Sequence, residues 1–90
     1  MALLAEGSLL DFPCDFPIKV MGRKERGFAQ AVTDIVRKHV QDFDPATVEM
    51  RPSRQGSYLS VTCVVRATSR DQLDALYREL CDHPSVVMVL

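Results

Sequence analysis

The residues that could do chemistry in this 90-residue chain are few: three cysteines and two histidines. Cys14, Cys63 and Cys81 lie far apart and form no Cys-x-x-Cys pair, and neither His39 nor His83 has a second ligand at the spacing of a metal site. The sequence also lacks a nucleophile elbow, a phosphate-binding loop and paired carboxylates. We therefore predict that the protein is not an enzyme and has no metal or other cofactor.

The same five residues have ordinary structural explanations. Cys63 falls on the apolar side of a predicted strand and Cys81 on the apolar side of a predicted helix, so we expect both to be small buried hydrophobes. His39 follows an apolar helix stripe, which favours packing or capping. Cys14 falls in a predicted loop and is the cysteine whose reactivity would be tested first.

Composition excludes several classes of protein. The chain has 11 basic and 12 acidic residues with the signs interspersed, whereas a dedicated nucleic-acid binder needs a basic excess. No stretch is long enough to span a membrane, and the first seven residues lack the positive charge of a secretory signal. We predict a cytoplasmic protein without a membrane partner, for which nucleic acid is an unfavoured partner.

Two local basic clusters remain. The run 23–26 (Arg-Lys-Glu-Arg) follows the first predicted strand beside Gly22, where cations and backbone amides could receive a small anion or carboxylate. Arg51, Arg54 and Arg66 surround a predicted hairpin. In both places a simple solvated surface is the preferred interpretation.

Hydrophobic periodicity predicts the elements that would position these groups. Residues 57–67 alternate between apolar and mixed side chains, which indicates a long central strand. An apolar stripe with helical spacing runs through 25–40, with Thr33 on its polar side, and a second begins at the Ser69 cap and ends near Cys81. The other predicted strands are 16–22, 47–52 and 86–90.

The order strand, helix, strand, strand, helix, strand predicts the fold class. It favours an α+β, ferredoxin-like βαββαβ sandwich, with a four-stranded antiparallel sheet and both helices on one face. Residues 1–15 are predicted to be a flexible N-terminal leader and 16–90 a single domain.

Such a fold leaves one sheet face bare. By alternation this face carries Ser60, Lys19 and Met21 together with the four residues that we predict as an interface for a second copy or another protein. Those four residues are Tyr58, Thr62, Val64 and Arg66. A wet surface is the competing interpretation.

The alternative function is weak single-stranded RNA binding through this face and the hairpin arginines. RNA-recognition domains of the same topology stack bases on several aromatic rings of the third strand. Residues 54–61 offer only one, Tyr58, so this alternative ranks second.

Several segments together resemble the YbeD-like family of small, functionally uncharacterised bacterial proteins. These are Asp11-Phe12-Pro13, Phe16, the run 19–22, the hairpin 52–58 and the closing run 87–90. The resemblance implies a ferredoxin-like fold similar to the regulatory ACT domains that bind amino acids. It further implies a ligand site after the first strand, at Met21, Gly22, Arg23 and Lys24.

We therefore expect a non-enzymatic regulatory or adaptor domain that acts through protein contact or small-metabolite sensing. The expected partners are a second copy in a homodimer, another protein in trans, or a small amino-acid-like or carboxylate ligand.

Overall fold

The computed structural model describes residues 12–90, which form one antiparallel sheet covered on one side by two helices. The elements in chain order are β1 (Cys14–Arg23), α1 (Phe28–His39), a 3-10 turn (Pro45–Thr47), β2 (Glu49–Pro52), β3 (Tyr58–Ala67), α2 (Arg70–Asp82) and β4 (Val86–Val89). The strand order is β2-β3-β1-β4. The predicted ferredoxin-like fold is confirmed.

The two long strands form the centre of the sheet. β1 and β3 pair over ten residues, from Cys14 opposite Ala67 to Arg23 opposite Tyr58. Along β3 the residues that face the helices are small or branched and buried, because every second side chain points to the same side. The periodicity of residues 57–67 therefore identified the central strand correctly.

The core lies between the sheet and the helices. Both helices contribute one buried stripe, Phe28, Val32 and Val36 from α1 and four residues from α2. The four from α2 are Leu73, Leu76, Tyr77 and Leu80. Burial of this apolar surface is the main favourable contribution to the free energy of folding.

Helix boundaries follow local chemistry. α1 begins three residues later than predicted because Gly27 has φ 83°, a left-handed conformation that interrupts the helix. At the start of α2 the Ser69 hydroxyl accepts a hydrogen bond from the Gln72 amide, as the predicted capping box requires. The Gln72 side chain accepts from the Thr68 amide and donates to the His39 carbonyl, which joins the ends of the two helices.

Two predicted positions on the helices are wrong. Cys81 is exposed, because it lies about 40° beyond Tyr77, outside the margin of the buried stripe and in the last turn of α2. Thr33, predicted on the polar side of α1, is buried, and its hydroxyl donates to the Ala29 carbonyl 2.8 Å away. That local hydrogen bond satisfies the hydroxyl within the helix layer.

The predicted leader boundary also differs. β1 begins at Cys14, so Cys14 and Asp15 belong to the sheet, and Phe12 packs against the core. Cys14 is half-buried in a strand and does not lie in a loop. The remainder of the predicted leader, residues 1–11, lies outside the described residues.

His39 lies at the end of α1 in a small polar cluster that spans the two helices. Its Nε2 is 2.7 Å from Glu79 Oε1, and the Lys38 ammonium donates to the other carboxylate oxygen. Two hydrogen bonds lower the pKa of the Glu79 carboxyl, and the one from Lys38 has a larger effect than the one from His39. His39 thus connects the two helices, in keeping with the predicted structural role.

Over 12–90, neither helix is long and apolar enough to cross a membrane.

Candidate functional site

The side of the sheet opposite the helices forms the open face, on which no described element packs. Two rows of side chains cross it: Arg51, Ser60, Met21 and Met88 in one, and Glu49, Thr62, Lys19 and Leu90 in the next. Side chains in one row are neighbours, about 5 Å apart from strand to strand. The register therefore brings together residues that are up to 71 positions apart in the sequence.

Polar groups gather over β2 and β3 in what we call the polar depression. It is a hollow of about 470 Å³ lined by Lys19, Glu49, Met50, Arg51, Ser60 and Thr62. An adjoining hollow shares Lys19, Arg51 and Ser60 and extends to Tyr58. The floor thus offers two hydroxyl groups, with a cation on either side.

The charges in this depression are not neutralised within the described chain. The side chains of Lys19, Glu49 and Arg51 form no ion pair or hydrogen bond among residues 12–90. Two cations face one carboxylate, so the depression carries a net positive charge. A guanidinium, an ammonium and hydroxyl donors are the groups that bind carboxylates in proteins.

Apolar groups gather on the other side of the open face, in what we call the apolar strip. It consists of Met21 on β1 with Met88 and Leu90 beside it on the chain of β4, whereas Val64 lies apart from them on β3, opposite Pro17. Val64 is 50% exposed, and Leu90 is 55% exposed. These side chains are larger and more exposed than a purely solvated sheet face requires.

The structure places all four predicted interface residues on the open face. Tyr58, Thr62, Val64 and Arg66 point away from the helices, as their alternation predicted. Thr62 lies in the polar depression, whereas Val64 lies outside it, opposite Pro17, so the set is divided between two environments. Its role as an interface stays a prediction.

The predicted ligand residues are divided as well. Met21 lies beside Ser60, and Arg23 lies opposite Tyr58, so both join the open face. Lys24 is exposed in the following loop, where its backbone amide donates to the Ser57 carbonyl. Two of the four predicted ligand residues therefore share the open face with the predicted interface residues, as alternation indicated for Met21.

Gly22 occupies a different environment. It is buried, and a Cβ atom there would stand 2.4 Å from both the Phe28 ring and the Ser85 carbonyl oxygen. The glycine is required by the close approach of the chain to itself, and the space in front of it is filled by protein. The ligand role of Met21, Gly22, Arg23 and Lys24 stays a prediction.

Sequence reasoning missed Glu49 as a site residue and assigned Arg51 only to a basic cluster at the hairpin. Both lie on one side of the short strand that the sequence predicted at 47–52. What could not be read was the register that sets Glu49 beside Thr62 and Arg51 beside Ser60. Pairing of β2 with β3 supplies that information.

The cysteines do not contribute to this surface. Burial raises the pKa of Cys63 to about 11, so its thiol stays protonated at neutral pH. Within the described chain, no three or more His, Cys, Asp or Glu side chains are placed to hold a metal ion.

Similarity to known proteins shows the family to which the chain belongs. A family described as "Protein of unknown function (DUF493)" matches residues 7–90. The chain belongs to the DUF493 family. Its resemblance to YbeD-like proteins is confirmed by curated relatives named UPF0250 proteins. One from Nitrosomonas europaea is 55% identical, covering 97% of this chain and all of the relative. Another, from Bordetella pertussis, is 58% identical over 94% of this chain and 93% of the relative.

Solved structures similar to this DUF493 chain show the same fold. Protein HP0495 from H. pylori has a TM-score of 0.72 at 13% identity, covering 90% of this chain and 85% of that one. The ACT domain of the GTP pyrophosphokinase of Chlorobium tepidum has a TM-score of 0.64 at 19% identity, covering 84% of each chain. At these identities the likeness concerns the fold, which is ACT-like as predicted.

Proposed function

We propose that this DUF493 chain is a non-enzymatic regulatory domain that binds a small amino-acid-like carboxylate in the polar depression of its open face. The observation that carries the proposal is the pair of cations, Lys19 and Arg51, which flank a hydroxyl-lined floor and have no partner among residues 12–90. The proposal keeps the predicted cytoplasmic location.

The arrangement suits a ligand that carries both charges. Lys19 and Arg51 arise from β1 and β2, about 10 Å apart across β3, and their long side chains can both reach the floor between them. There they would hold a carboxylate with hydrogen bonds from Ser60 and Thr62. Glu49, beside Thr62, is placed to accept from an amino group.

The ACT domain named among the structural neighbours belongs to a GTP pyrophosphokinase. That context supports a regulatory role for the same fold here, although this chain would act on a partner in trans. The site proposed here uses residues of the open face and does not need the buried Gly22.

The experiment is thermal unfolding of the full chain with a panel of amino acids and simple carboxylates. A ligand at ~100 times its dissociation constant adds roughly 2.7 kcal/mol, and each kcal/mol raises Tm by about 4–8 °C in a domain of this size. We expect at least one carboxylate to raise Tm, and Lys19→Ala and Arg51→Ala each to abolish the shift.

Two further variants make the experiment specific. Arg54→Ala removes an exposed arginine of the hairpin that lies outside the depression, so it should leave the shift intact. Glu49→Gln should weaken the binding of amino acids more than the binding of carboxylates that have no amino group. A flat panel, or equal losses in Arg54→Ala and Arg51→Ala, would contradict the proposal.

A second candidate function is contact with another protein through the exposed apolar side chains of the open face. The exposed side chains of Val64, Met88 and Leu90 favour it. Under this candidate Val64→Asp would release a partner retained by the wild-type chain and by Lys19→Ala. Retention by Val64→Asp would count against it.

RNA binding gains no support and is not proposed. Tyr58 is the one aromatic side chain on the described part of the open face, whereas base stacking on a sheet uses several.

A further inference from the structure

The polar depression continues into the adjoining hollow, and the two differ in the chemistry of their walls. They share Lys19, Arg51 and Ser60. The walls of the polar depression are mostly polar, whereas those of the adjoining hollow are mostly apolar and include Met21 and Tyr58. A ligand held by the two shared cations therefore has an apolar surface directly beside it.

The geometry of β3 sets the order of these groups. Thr62, Ser60 and Tyr58 follow one another on the open face, each about 7 Å from the next, because every second residue of a strand faces the same side. Glu49 lies beside Thr62, at one end of this series. A carboxylate thus stands at one end of the series and an aromatic ring at the other, with the Ser60 hydroxyl between them.

The adjoining hollow has the size of one side chain. Its volume is about 200 Å³, whereas pockets that hold drug-sized ligands measure roughly 300–1,000 Å³. Among residues 12–90 no carboxylate lines it, and its two cations, Lys19 and Arg51, are those assigned to the carboxylate of the ligand. A basic side chain of the ligand would be repelled there, and an acidic one would find no further cation in the lining.

We propose that the ligand of the open face is an amino acid with an apolar side chain, and that this side chain lies in the adjoining hollow against Tyr58 and Met21. The inference rests on the function proposed above, because Lys19 and Arg51 hold the carboxylate of the same ligand. It adds the class of side chain and the residues that select it.

The three groups of an amino acid match the order of the groups on the sheet. With its carboxylate over Ser60, the ligand directs its amino group along β3 toward Glu49 and its side chain the opposite way, toward Tyr58. The substituents of one Cα atom diverge tetrahedrally, so all three contacts can form at once.

Burial of apolar surface supplies the selectivity. Tyr58 offers a ring and Met21 a thioether, and both groups pack well against aliphatic and aromatic side chains. A methylene group in an apolar pocket changes discrimination between ligands by roughly 10–200-fold. Because Tyr58 is 44% exposed, the hollow is open to solvent on one side, and we expect an effect at the lower end of that range.

Isothermal titration calorimetry of the full chain tests this inference with glycine, leucine, phenylalanine, glutamate and lysine. All five carry the same α-carboxylate and amino group, so glycine measures the anchor in the polar depression and the differences measure the adjoining hollow. Leucine and phenylalanine should bind about tenfold more tightly than glycine. Glutamate and lysine should bind no more tightly than glycine.

Two variants assign the difference to the hollow. Tyr58→Ala should weaken the binding of leucine and phenylalanine about tenfold and leave the binding of glycine unchanged. Val64→Ala is the matched control, because Val64 is exposed on the same strand and face but lines neither hollow. It should leave every affinity unchanged, and circular dichroism should show that both variants are folded.

The outcomes separate this inference from the function on which it rests. Equal binding of all five amino acids would overturn the inference and leave the proposed carboxylate site standing. Tighter binding of glutamate or lysine than of leucine, or an equal loss for glycine and leucine in Tyr58→Ala, would also overturn it. Binding of none of the five would overturn both proposals.

Discussion

The two faces of the sheet are built from the same strands but obey different constraints. On the covered face Ile18, Val20, Val61 and Val65 have no solvent exposure. On the open face their immediate neighbours are as different as Lys19, Thr62 and Val64. Burial against two helices admits only apolar groups of the right size, whereas the open face can carry charges, hydroxyls and thioethers. Stability is therefore concentrated on one face, and the freedom to evolve a binding site on the other.

The largest effect expected from this contrast uses two adjacent valines of β3. Val65 is fully buried and Val64 is 50% exposed on the opposite side. Val65→Ala should lower the free energy of unfolding by about 2–3 kcal/mol, from lost burial and a residual cavity, and Val64→Ala by less than about 0.5 kcal/mol. Urea unfolding of both variants measures the difference, and equal losses would refute the assignment of the faces.

Gly22 marks the position on the covered face where the packing leaves no space for a side chain. Gly22→Ala places a methyl group 2.4 Å from the Ser85 carbonyl oxygen, which belongs to the backbone and cannot rotate away. We expect a loss of about 1–3 kcal/mol in the free energy of unfolding. The exposed neighbour Arg23→Ala serves as the control and should be close to wild type. An unchanged Tm for Gly22→Ala would show that β4 can move aside.

The smallest expected effect concerns the single buried polar atom without a partner among the described side chains. The Tyr77 hydroxyl lies in the core and forms no hydrogen bond within residues 12–90. Burial, and next the neighbouring Cys81, raise the pKa of Tyr77, so it stays neutral at physiological pH. Tyr77→Phe should leave the free energy of unfolding unchanged or raise it by up to about 1 kcal/mol. A clear loss of Tm would reveal a hydrogen bond from outside the described residues.

Much of the fold could be predicted because it rests on local patterns. The alternation in 57–67, the two helix stripes and the Ser69 cap each express a rule that operates over a few residues. Errors arose at the margins of the two helix stripes, where periodicity does not say how far burial extends. Thr33 is buried at one margin, with its hydroxyl bonded to a carbonyl of its own helix, and Cys81 is exposed at another.

The candidate site was predictable only in pieces. Alternation correctly placed Lys19 and Met21 with Thr62 and Val64 on the bare face. It could not reveal that Glu49 and Arg51 lie beside Ser60 and Thr62, since this depends on how β2 aligns with β3. Nor could it show that the Phe28 ring occupies the space in front of Gly22, because that contact joins a strand to a helix.

The order of elements, the faces of each strand and membership of the DUF493 family could all be read from the amino-acid sequence. These follow from side-chain periodicity and from residue identities that can be compared directly. Which charges share the polar depression emerges only in the folded chain. The physical reason is that register and strand order are set by long-range pairing, whose energy depends on the whole sheet and is not written in any one segment.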